Sequence, residues 1–105
     1  MNLTKDEERW AVWMVQARNF AKRENYPDAV ARMKLVRSSV ENALAEANDP
    51  KQRLRLERHL ARAQEELSEL TAKYDAWRSE IAARRQHTIS HAADEMARPL
   101  PTRGD

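Results

Sequence analysis

An all-α fold, an antiparallel three-helix bundle with an extended third helix, follows from three observations. Glycine is almost missing: the only one in 105 residues is Gly104, beside the C-terminus. Apolar residues recur at spacings of three and four along most of the chain. The two internal prolines sit in matched Asn-x-Pro turns, Asn25-Tyr26-Pro27 and Asn48-Asp49-Pro50. Hairpin turns and phosphate-cradling loops both need glycine, where φ is positive or where backbone N–H groups approach an anion, so sheet folds and Gly-rich nucleotide loops are excluded. The absence of cysteine removes disulfide frameworks, thiol nucleophiles and Cys-ligated metals. With 34% charged residues, 41% hydrophobic residues and a mean hydropathy of −0.92, each helix has one apolar stripe and a solvated remainder.

The first helix is expected over about residues 5–24. Thr4-Lys5-Asp6-Glu7 has the capping-box pattern, in which a threonine hydroxyl and a glutamate carboxylate satisfy two orphan N–H groups. Trp10, Trp13, Met14, Ala17, Phe20 and Ala21 form its stripe, and Val12 and Val15 are expected to widen it. Tryptophans three apart on such a stripe read as core, because the indole brings large area and a single N–H to satisfy.

Pro27 opens the second helix, expected over 27–48, since proline fixes a helical φ and lacks only an N–H that a first turn leaves unused. Val30, Met33, Val36, Val40, Ala43, Leu44 and Ala47 share one side. The third helix, expected over 50–92, is the most regular: Leu56, Leu60, Ala63, Leu67, Leu70, Tyr74, Trp77 and Ile81 alternate steps of four and three, a coiled-coil-like seam. Helices one and two span ~30 Å each at 1.5 Å per residue, whereas the third reaches ~60 Å and outruns them. Residues 1–97 form one domain, and the proline-broken stretch 98–105 is a disordered tail.

Charge placement supports folding back at residues 48–50. Acidic Glu41, Glu46 and Asp49 end the second helix and basic Lys51, Arg53, Arg55 and Arg58 begin the third, each group opposing its helix dipole. Antiparallel pairing sets Glu41 near Arg58, Glu46 near Arg53 and Lys34 near Glu65.

From Ala11 to about Leu70 the chain resembles the MIT domain, a three-helix relative of the tetratricopeptide repeat. The features that carry it are Ala17 and Ala21, then Asn25-Tyr26-x-x-Ala29-Val30 with Val36, Val40 and Ala43-Leu44, then Leu60-x-Arg62-Ala63 before Leu67. The tetratricopeptide repeat itself fits less well, because helix two runs past the point where that repeat breaks with a proline. The MIT resemblance implies a non-enzymatic adaptor that holds a short peptide between two helices, with contacts at Val36, Val40, Ala63 and Leu67. The third helix overruns the family length, and Glu65-Glu66 adds a residue before Leu67.

The functional expectation is therefore a non-enzymatic, cytoplasmic interaction module without cofactor or metal. It binds a partner helix or peptide, or a second copy of itself as a dimer, through apolar faces of helices two and three: Val36, Val40, Ala63, Leu67, Leu70, Tyr74, Trp77 and Ile81. The alternative is a nucleic-acid-binding regulator using the basic stretch Lys51, Arg53, Arg55, Arg58 and Arg62. Nucleic acid is not the expected partner, because the stretch has no interleaved aromatics for stacking and acidic groups lie at hand to neutralise it. His87 and His91 stand four apart with Asp94 and Glu95 beyond, a spacing able to chelate zinc. Arg84 and Arg85 repel a cation there, so a solvated turn is expected. Ser68 and Ser79 have no His or carboxylate partner at a fitting spacing, and Glu65 and Glu66 point to different sides of a helix. Arg103-Gly104-Asp105 is read as a chance tripeptide, and no apolar run approaches the ~20 residues of a membrane span.

Overall fold

The computed structural model describes the backbone of residues 3–97 and the side chains of residues 3–89. These residues form three helices and no strand: α1 (Leu3–Lys22), α2 (Tyr26–Glu46) and α3 (Pro50–Ala97). The expected tail, 98–105, lies outside the described residues. The chain divides into two compact units, residues 1–74 and residues 75–105.

The first unit is an up-down-up bundle. Trp10 near the start of α1 bonds Ser39 in the second half of α2, so these helices run antiparallel. Glu7 meets Arg55, and Arg18 meets Glu66; the separation is 48 residues both times, so α1 and α3 run parallel in a constant register. Trp10, Met14 and Ala17 of α1 are buried with Ala29, Met33, Val36, Val40 and Ala43 of α2, Ala47 just beyond it, and Leu56, Ala63, Leu67 and Leu70 of α3. The closest backbone packing is between α1 and α2, whose Ala17 and Ala29 side chains are fully buried.

Val12 and Val15 do not widen the α1 stripe; they are 54% and 51% exposed. At about 100° per residue they fall across the helix from Trp10, Met14 and Ala17. The capping box is also not formed. Thr4 lies inside the helix, and the Glu7 carboxylate is engaged by α3.

The turn between α1 and α2 is a Schellman motif made without glycine. Asn25 N–H donates to the Phe20 carbonyl (2.9 Å) and Glu24 N–H to that of Ala21 (3.0 Å), the paired bonds that close a helix through one left-handed residue. That residue is Glu24, at φ 60°. The α2–α3 turn uses both its flanks. The Asp49 carboxylate accepts from Gln52 N–H (3.2 Å), capping α3, while Arg53 Nη1 donates to the carbonyls of Leu44 (3.0 Å) and Ala47 (2.9 Å), which end α2.

Arg53 therefore serves carbonyls rather than Glu46. The other expected pairs are replaced as well: Glu41 lies 3.7 Å from Arg37 on its own helix, and Arg58 and Lys34 form no ion pair with Glu41 or Glu65. Arg55 turns toward α1, where Glu7 lies opposite it.

A left-handed φ costs a non-glycine residue roughly 1–2 kcal/mol, part of which glycine returns as unfolded-state entropy. Glu24→Gly is therefore expected to raise stability by about 0.5–1 kcal/mol, read from urea melts followed by circular dichroism. An unchanged or lower midpoint would show that the strain is absorbed elsewhere. Leu67→Ala is expected to cost about 2–5 kcal/mol as a core truncation, whereas a surface contact residue would lose about 0.5 or less.

Candidate interaction surface

The polar chemistry of the first unit gathers around one carboxylate. Arg55 donates to Glu7 through Nε (2.8 Å to Oε2) and through Nη2, a two-point guanidinium clamp. His59 Nε2 lies 2.5 Å from the same Oε2. The His59 ring meets the Trp10 ring edge-on, centroids 5.3 Å apart, and Trp10 Nε1 donates to Ser39 Oγ at 2.8 Å. The series Arg55, Glu7, His59, Trp10, Ser39 thus touches all three helices. Partial burial alone would raise the Glu7 pKa. The hydrogen bonds from His59 and Arg55, with their charges, outweigh it and hold the carboxyl below its ordinary value.

This arrangement redistributes the basic stretch. Arg53 caps α2, Arg55 holds Glu7, and Arg62 lies 3.8 Å from Glu66, which also receives Arg18 at 2.5 Å. Lys51 and Arg58 keep no ion-pair partner among the described residues. The five cations do not form one unneutralised face.

The predicted partner contacts separate into two groups. Val36, Val40, Ala63, Leu67 and Leu70 are at most 8% exposed and belong to the bundle's own core. They are interior and not surface residues, packed in one core with Trp10, Met14 and Ala17 of α1, so they do not form the expected peptide groove. Tyr74 is half-buried, its ring 6.4 Å from that of Tyr26. Trp77 and Ile81, in the second unit, are half-buried too.

No family model, curated protein or solved structure matches the chain. Its function must be read from the side chains themselves.

Concavities occur in both units among the described residues. In the first unit a groove of about 410 Å³ runs beside Ala21, Tyr26 and Leu70, rimmed by Arg18, Lys22, Glu66, Glu69 and Lys73. In the second unit Ile81, Arg84, Arg85, Thr88 and Ile89 line a shallow, open depression on one face of α3. No side chain from 75 to 89 is buried, and Ile89 is 62% exposed. The apolar seam of α3 ends at Ile81, and only the spacing of four through Arg85 marks Ile89 on the same side.

Among the described residues no cluster of His, Cys, Asp or Glu is placed to hold a metal ion, and no helix is long and apolar enough to cross a membrane. The side chains of His91, Asp94 and Glu95 lie outside the described residues.

The lowered Glu7 pKa fixes a sign. Its stabilisation is complete above the ordinary carboxylate value of 4.5 and is lost as pH falls through the folded value. Wild type is therefore expected to be more stable than Glu7→Gln at neutral pH, with the gap closing in acid. Denaturant midpoints of both proteins across that range measure it, and a gap independent of pH would mean that the clamp stabilises by shape alone.

Proposed function

We propose that this chain is a non-enzymatic protein-interaction module whose contact surface is the Trp77–Ile89 stretch of α3. One observation carries the reading: no side chain from 75 to 89 is fully buried, yet the segment keeps Trp77 and Ile81, both half-buried, and Ile89, 62% exposed. An isolated helix of this length is marginal in water, and packing of an apolar face is the usual source of helical stability. Local pairs such as Arg84 with Glu80 add only about 0.3–0.5 kcal/mol. Trp77 and Ile81 also continue the heptad spacing of Leu56, Ala63, Leu67 and Leu70, all of which are buried. The occupant of this surface is a partner helix or a second copy of the chain. The MIT resemblance favours an adaptor role in kind, although the α2–α3 residues that it points to are interior here.

Sedimentation of the full chain, with co-purification from its source cells, tests the reading. Wild type is expected to self-associate or to retain a specific protein, and Trp77→Ser with Ile81→Ser is expected to abolish this while keeping the far-ultraviolet spectrum of the bundle. A wild-type monomer that retains nothing, or association that survives both changes, would overturn it.

A further inference from the structure

Ile81, Arg84, Arg85, Thr88 and Ile89 share one face of α3, and the helix runs on to Ala97. Ala92 and Met96 follow Ile89 at steps of three and four, so the line of positions from Ile81 to Met96 is apolar except at Arg85. Arg84 and Glu95 stand eleven residues apart, about three helical turns, which sets both positions along one edge of that line. The edge is therefore basic at its Ile81 end and acidic at its Met96 end. Thr88 turns its hydroxyl back to the Arg84 carbonyl (2.9 Å), so it is satisfied within the helix. Residues 75–105 as a whole carry five basic and five acidic side chains, and the segment has no net charge with which to repel a copy of itself.

We propose that this face is covered by the same face of a second copy, the two α3 segments lying antiparallel about a two-fold axis at Ile89. The inference rests on the reading of the Trp77–Ile89 stretch as a contact surface and names its occupant. Overlap centred at Ile89 sets that residue against its counterpart and brings Ile81 of each copy alongside Met96 of the other. In the same register Arg84 of each copy comes to Glu95 of the other, twice by symmetry. A parallel pair would instead set Arg84, Arg85 and Glu95 each against its own counterpart, like charge on like. Arg84 also holds Glu80 one turn earlier, but the two side chains are 75% and 58% exposed, and a guanidinium has donors for a second carboxylate. Arg85 falls opposite the small residues Ala92 and Ala93, across which its stem lies with the charge turned outward.

The chain has no cysteine, so a single introduced thiol reports the position of the axis. In the full chain Ile89→Cys is expected to form a disulfide-linked dimer under mild oxidation. Ile81→Cys is not, because antiparallel overlap holds the two copies of that residue about 24 Å apart at 1.5 Å per residue, beyond the reach of a disulfide. Ile89 is 62% exposed, so its replacement leaves the bundle folded, which circular dichroism checks. Sedimentation equilibrium is expected to show Arg84→Glu weakening the dimer about tenfold, as two like-charge contacts replace two ion pairs, and Arg84→Glu combined with Glu95→Arg restoring it. Linkage through both thiols, which marks a parallel pair, linkage through neither, or a double charge exchange that fails to restore association would overturn the proposal. A wild type that stays monomeric yet retains a specific protein through Trp77 and Ile81 would overturn it and leave the contact surface standing. A monomer that retains nothing removes both.

Discussion

Trp10 is the side chain on which the bundle depends. It is 2% exposed, and an indole that deep carries one N–H that must be satisfied or cost roughly 1–3 kcal/mol. Ser39 of α2 accepts that N–H, and His59 of α3 packs on the ring. One aromatic residue of α1 therefore fixes the height of α2 and the approach of α3 together. The area it buries adds to the driving force of the core, and its hydrogen bond favours the packing arrangement that satisfies the indole.

Charge then sets how α3 lies along α1. Individual exposed ion pairs contribute little, about 0–1 kcal/mol. Here two clamps, Arg55 on Glu7 and Arg18 on Glu66, share one separation of 48 residues, and a slip of one helical turn would break both. His59 joins the first clamp to Trp10, so the polar rim and the apolar interior specify the same register. The helix ends follow similar economy: Arg53 closes α2, Asp49 opens α3, and Glu24 occupies a position that glycine normally holds.

The second unit obeys different physics. From 75 to 89 the same helix continues with no buried side chain, and its apolar residues lie beside arginines. A core residue is chosen for shape, whereas a residue at a partly wet apolar cleft is free to be chosen for what it meets. The apolar faces of α2 and α3 are used inside the bundle, whereas Ile89 stays 62% exposed.

Much of the architecture was legible in one dimension. The spacing of Trp10, Met14 and Ala17, and of Met33, Val36 and Val40, marks inward faces because a helix repeats every 3.6 residues. Pro50 opens α3 where its ring predicts, since proline geometry is local. The ion pairs were not legible. Arg53, Arg55 and Arg58 have long side chains, and what each meets depends on which helix lies alongside. The partners expected for Arg53 and Arg58 were acids of α2, but Arg53 serves α2 carbonyls and it is Arg55 that finds an acid, Glu7 of α1. Likewise the heptad seam announces an apolar stripe without saying where it is covered: Leu67 and Leu70 are interior, and Ile81 is not. Periodicity and backbone stereochemistry act over a few residues and are written in the chain itself. Partner choice and burial depend on residues some 48 positions apart and came only with the tertiary structure.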